Sequence, residues 1–103
     1  MKITQRSGYS QATAGKFIDK DKPVYLISTS LDPKYKWVDG HPTSEVDGYK
    51  AWFSQEGLPP FTVKFEKKFE LPEYMSLVYF DNLEGCEIRS NVYFRAQGLR
   101  KVK

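Results

Sequence analysis

The stretch Val92-Tyr93-Phe94-Arg95-Ala96-Gln97, within the segment Ile88 to Lys103, decides how the chain is read. Val92, Phe94, Ala96 and Val102 fall on one parity; Tyr93, Arg95, Gln97, Lys101 and Lys103 fall on the other. Successive side chains of a β-strand point to opposite faces. One face of this segment is therefore apolar, and the other carries an aromatic ring among cations. The segment holds five basic residues (Arg89, Arg95, Arg100, Lys101, Lys103) and no acidic one. Leu99 and Arg100 break the alternation after Gly98, as a bulge or bend would.

The same period of two recurs upstream. Tyr49, Ala51 and Phe53 alternate with Lys50, Trp52 and Ser54; Phe61, Val63 and Phe65 alternate with Thr62, Lys64 and Glu66. The runs from Pro23 to Thr29 and from Met75 to Phe80 are rich in β-branched, aromatic or aliphatic residues. All read as strands. Turn signals separate them at Asp39-Gly40-His41-Pro42, Asp47-Gly48, Glu56 to Pro60, Asp81 to Gly85, and Ser90-Asn91. No window of helical length sustains an i, i+3, i+4 apolar pattern. A single turn of helix fits Leu71 to Met75, with Pro72 in its first turn.

Five or six short strands predict an all-β fold, a small antiparallel OB-like barrel, with an SH3-like barrel as the nearest competitor. Closing the sheet removes exposed strand edges. The 103 residues make one domain, with residues 1–15 polar and loosely structured. There is no internal repeat, linker or second domain.

Composition narrows the function classes. Aromatic content is 16% and charged content 28%, which excludes a disordered-type chain. Net charge is +3, so distribution decides more than the total. Six acids (Glu66, Glu70, Glu73, Asp81, Glu84, Glu87) precede the basic C-terminal segment, a segregation that can concentrate cations on one face. One Cys and one His exclude an intrachain disulfide and argue against a zinc site. The start lacks an apolar signal core and no run is long enough to span a membrane, so a soluble cytoplasmic protein is expected.

A single nucleic-acid strand exposes phosphates and flat bases. Lys and Arg meet the phosphates, and aromatic rings stack on the bases. A cation and a ring two residues apart share a sheet face. Lys50 with Trp52, and Tyr93 with Arg95, have that spacing. Lys64 shares the polar parity of its own strand, and Tyr35 and Trp37 share a parity that would extend the platform. Arg100 and Lys101 complete the candidate set. Each has a plainer reading: Trp52 and Trp37 as packing residues, Tyr93 with Arg95 as a cross-strand stabilising pair, and Arg100 and Lys101 as a solvated tail. His41 lies in a turn, Cys86 reads as a buried thiol, and no nucleophile elbow or phosphate-cradling glycine loop is present. No catalytic residue, metal or cofactor is expected.

The segment from Val46 to Lys103 also carries a resemblance. Gly48-Tyr49-Lys50-Ala51-Trp52-Phe53, Pro60-Phe61-Thr62-Val63-Lys64-Phe65, Phe80-Asp81-Asn82-Leu83-Glu84, and Asn91-Val92-Tyr93-Phe94-Arg95-Ala96 closing on Leu99 form its pattern. It resembles a family of small uncharacterised proteins encoded by Gram-positive conjugative transposons and related integrative elements or plasmids. The layout of the C-terminal strands is similar to that of filamentous-phage single-stranded-DNA-binding proteins. The resemblance implies a role in handling single-stranded DNA during rolling-circle replication or conjugative transfer, beside the element's replication or transfer proteins. A homodimer is expected, since one small face holds few phosphates. The rival expectation is a protein-interaction adaptor in a transfer complex, using the same rings to dock a partner. A small hydrolase using the acidic stretch stands third.

Overall fold

A computed structural model describes residues 8–102. Its elements are α1 (Gln11–Phe17), β1 (Val24–Leu26), β2 (Asp32–Val38), β3 (His41–Gln55), β4 (Phe61–Phe65), β5 (Leu77–Asp81), β6 (Glu84–Ile88), β7 (Asn91–Arg95) and β8 (Gly98–Lys101). Among the described residues the fold is all-β apart from one short helix.

The described strands form one eight-stranded sheet in the order β6-β7-β4-β3-β1-β5-β8, with β2 paired to β3 off this path. This corrects the expectation of a closed OB-like barrel of five or six strands. The hydrogen-bonded path is open, and it has more strands because β2 and β3 build a long hairpin. β7, next to one end of the path, is joined covalently to β8, the other end. Between β7 and β8 lie only Ala96 and Gln97; Ala96 N donates to Lys64 O on β4 (3.0 Å), and Gln97 N donates to Asp81 O on β5 (2.9 Å).

The hairpin turns at Asp39 (φ 51°) and Gly40 (φ 78°). Two successive left-handed residues make the turn whose twist matches two antiparallel strands. Asp47-Gly48, expected as a break, instead lies inside β3. The register against β2 shifts between Pro33 and Tyr35 and again between Tyr35 and Trp37, so β3 absorbs extra residues as bulges rather than stopping. All seven residues of β2 are exposed, so the hairpin projects as an arm. The radius of gyration, 14.5 Å, exceeds the ~13 Å of a compact domain of this size, consistent with that projection.

The core lies on one face of the sheet. Leu26, Phe53, Val63 and Phe65 are its largest fully buried side chains. Phe53 meets Phe61, Phe65 and Phe80, with ring centroids 6.1, 6.4 and 4.9 Å away. Phe94 joins through Phe61 at 5.6 Å. Gln55 is polar at a core position, yet its amide is fully used: Nε2 donates to Asp19 O and Lys22 O, and Oε1 accepts from Asp19 N. That clasp fixes the loop between α1 and β1.

Residues 1–15 divide. Residues 1–7 lie outside the described residues. From Ser10 onward the chain is ordered rather than loose. Ser10 caps α1, its Oγ accepting from Thr13 N at 3.1 Å. Ser10 and Gly85 also exchange backbone hydrogen bonds in both directions, which covers part of the β6 edge. Ala14 and Ile18 bury against the sheet. A Cβ on Gly85 would meet Ala14 N at 3.0 Å, so glycine is what lets the helix backbone come this close. The helical turn expected at Leu71 to Met75 is absent; only a turn at Tyr74-Met75 is present.

Candidate nucleic-acid interface

The pairing registers decide which side chains share a surface. Lys50 on β3 faces Lys64 on β4, and Trp52 faces Thr62. Lys64 in turn faces Arg95 on β7. Three cations therefore stand side by side across three neighbouring strands, spanning about 10 Å of sheet. Tyr93 shares the parity of Arg95, so it lies on the same face as Trp52. Both rings are open to solvent, Trp52 at 40% and Tyr93 at 46% of full exposure. The alternate residues Ala51, Phe53, Val63 and Phe94 are buried beneath.

Five of the nine sequence candidates thus converge: Lys50, Trp52, Lys64, Tyr93 and Arg95. Arg100 shares their face but stands at its far end, beside Tyr79 on β5; the other three do not join it. Tyr35 faces Val46, and Pro33 on the same parity faces Tyr49, which lies on the core-side parity of β3. Tyr35 and Trp37 are exposed, but by register they occupy the opposite face of the arm from Lys50 and Trp52. They do not extend the platform. Arg100 and Lys101 lie on β8, the last strand of the path, with β1 and β5 between it and the cation row. The chain bends at Gln97-Gly98, so Arg100 faces Tyr79 and Lys101 takes the other parity, opposite Val78. Arg100 Nε is 2.9 Å from Asp81 Oδ1, and Lys101 Nζ is 3.3 Å from Glu73 Oε1. The adjacent Asp81 carboxylate, with help from the Tyr79 hydroxyl, holds Arg100 above its ordinary pKa.

Three residues outside the sequence candidates join the face. Tyr25 on β1 lies opposite Ser54, on the parity of Trp52, and is exposed. Tyr79 on β5 shares the parity of Leu77, which faces Tyr25. The alternations Val24-Tyr25-Leu26 and Val78-Tyr79-Phe80 carried that signal. Tyr9 had no such signal, because it precedes the first helix. Its ring lies under Arg95, with the guanidinium carbon 4.1 Å from the centroid. Burial, and then the neighbouring Cys86, pushes the Tyr9 phenol above its ordinary value, while Arg95 opposes that shift.

Acids flank the cations. Asp32 on β2 faces Lys50, Asp47 Oδ2 is 3.7 Å from Lys64 Nζ, and Glu84 Oε1 is 2.7 Å from Arg95 Nε. Arg95 is thereby held between a carboxylate and a ring. Beyond it the face opens into a polar cleft of about 760 Å³, lined by Tyr9, Gln11, Lys64, Glu66, Lys67 and others. Among the described residues no group of three or more His, Cys, Asp or Glu side chains gathers as a metal site, and no helix is long and apolar enough to cross a membrane.

Gly48 sets the path of the central lysine. Its φ is +112°, and a Cβ there would stand 2.8 Å from Lys64 Cε and 3.0 Å from Phe65 O. The lysine tip can move; the carbonyl cannot. Gly48→Ala is therefore expected to lower the melting temperature by roughly 5–15 °C and to displace Lys64. Thermal unfolding by circular dichroism checks the first; a weakened oligonucleotide affinity checks the second.

Compared with family models, with curated proteins and with solved structures, the chain matches none.

Proposed function

We propose that this chain binds single-stranded DNA as an accessory protein of a mobile genetic element, coating or guiding the strand displaced in rolling-circle replication or conjugative transfer. The setting rests on the family resemblance; the binding rests on the sheet face. One observation carries it: Lys50, Lys64 and Arg95 stand in consecutive register between exposed aromatic rings. Like charges placed directly opposite in a sheet are destabilising. A polyanion laid along the row relieves that cost, and stacking on Trp52 and Tyr93 adds roughly 1–3 kcal/mol per base. Contacts of this kind track the backbone and stack on any base, so sequence selectivity from the row itself is low.

The flanking carboxylates limit the strength. Three phosphates neutralised on a single strand correspond to a slope of log affinity on log salt of about −2. Competition from Asp32, Asp47 and Glu84 keeps it from being steeper. Affinity is then expected to fall by no more than roughly twentyfold between 50 and 200 mM salt. Titration of single-stranded DNA, duplex DNA and RNA at two salt concentrations measures this. A further arm uses tryptophan fluorescence. Bound oligonucleotide is expected to quench emission in the Trp37→Phe variant and not in Trp52→Phe. Equal quenching in both, or affinity indifferent to salt, would overturn the reading.

A second reading, a protein-interaction adaptor, has its own observation. The arm exposes Tyr35, Trp37, Val38 and Val46. It carries Asp32, Asp39, Glu45 and Asp47 against Lys34 and Lys36. An acidic aromatic arm suits a protein contact better than a phosphate backbone. Absence of oligonucleotide affinity at low salt would favour this reading.

A further inference from the structure

We infer that the bound strand crosses the sheet along a line of four exposed rings, Tyr93, Trp52, Tyr25 and Tyr79, with its bases splayed from one another, and that the face holds about four to six nucleotides. The inference rests on the strand-binding reading and deepens it. It carries the site past the cation row onto β1 and β5, and it gives the ligand a conformation and a length.

The registers lay out this line. Tyr93 stands two residues before Arg95, and Thr62 two before Lys64, so the parallel pairing of Lys64 with Arg95 sets Tyr93 level with Thr62. Thr62 is opposite Trp52. Tyr93 and Trp52 are therefore level, two strands and about 10 Å apart. Tyr25 is opposite Ser54, so Trp52 is its diagonal neighbour on β3, at about 7–8 Å. Tyr25 is also opposite Leu77, so Tyr79 is its diagonal neighbour on β5, at about the same distance. Trp52 and Tyr79 lie on opposite sides of Tyr25 along the strand direction, so the line does not double back. Each step is at least twice the rise of about 3.4 Å per nucleotide in a duplex strand. A stacked strand cannot offer a base to each ring; an unstacked one can. The cations Lys50, Lys64 and Arg95 run beside the half from Tyr93 to Trp52, on the side away from Tyr25, and suit the phosphates of bases seated there. At the other end Arg100, opposite Tyr79, is already engaged by Asp81 Oδ1 at 2.9 Å. That half therefore binds through its rings more than through charge.

Affinity for oligothymidylates of two to ten nucleotides, measured by competition at fixed salt, is expected to climb steeply to about five nucleotides and only slightly beyond. The double variant Tyr25→Leu, Tyr79→Leu removes two flat rings and keeps apolar stems over the sheet. It is expected to bind the ten-nucleotide strand about tenfold or more weakly and to gain little past about three nucleotides, with the salt slope unchanged because every cation is retained. The double variant Tyr25→Phe, Tyr79→Phe keeps both rings and is expected to bind within about twofold of the natural chain. Circular dichroism checks that the sheet is intact in both. If the leucine variant matches the natural chain in affinity and in its response to length, the strand does not follow the rings; the inference is overturned and the strand-binding reading stands. A loss as large for three nucleotides as for ten overturns it too. Failure of the natural chain to bind at any length overturns the strand-binding reading, and this inference falls with it.

Discussion

Lys64→Glu is expected to weaken oligonucleotide binding by at least about tenfold while leaving the melting temperature unchanged or slightly raised. The two effects have one cause. Lys64 is the middle member of the row, with Lys50 opposite on one side and Arg95 on the other. A glutamate there would face a cation in each direction. An opposite-charge cross-strand pair contributes about 0.2–1 kcal/mol. The substitution gives up the Lys64–Asp47 contact at 3.7 Å, a solvent-exposed pair of about 0–1 kcal/mol. It also brings the new carboxylate near Glu66. The balance is close to neutral or favourable for folding. For binding it is uniformly unfavourable, because the central phosphate contact becomes a repulsion. A residue kept for packing would show the opposite pattern, with stability and binding falling together. Thermal melts and anisotropy on the same preparation separate the cases; a clear loss of stability with unchanged affinity would sink the row as a site.

The second large effect falls on the other face of the same strand. Phe53→Ala is expected to cost about 3–5 kcal/mol. Phe53 has no solvent exposure and touches three other rings. It sits on β3, which pairs with β1, β2 and β4. The cavity left by its ring cannot collapse without moving strands tied on both edges. A domain of this size has a total stability of about 5–15 kcal/mol, so the loss is a large fraction of it. Urea unfolding is expected to show the midpoint sharply reduced with little change in slope. A midpoint within error of the natural chain would show that the core is organised elsewhere.

The faces of individual strands were legible in the sequence, and the reason is simple. Where an antiparallel strand is buried on one side, alternation is enforced residue by residue. Ala51 and Phe53 against Lys50 and Trp52, and Phe94 against Tyr93 and Arg95, follow that rule in the structure. The Asp39-Gly40 turn was equally legible, because both positions need positive φ. What local pattern could not carry was pairing. Nothing in Lys50, Lys64 and Arg95 taken singly says that they meet; only the strand order does.

The misreadings have physical causes of their own. Asp47-Gly48 has the chemistry of a turn, but a glycine with positive φ serves a bulge equally well. The arm is exposed on both faces, so burial imposes no alternation on it, and Tyr35 and Trp37 gave no sign of their side. Helix α1 spans only seven residues, too short for a helical period to emerge. The switch of parity after Ala96 arises from two hydrogen bonds to different strands, Lys64 O and Asp81 O. Neither is visible locally.

That corner has a mechanical meaning. Because consecutive amides at Ala96 and Gln97 hold β4 and β5 together, they act as a buckle joining the two halves of the sheet. One half cannot breathe without pulling on the other. The cleft that Gln97 lines is therefore seated beside a junction held from two strands at once.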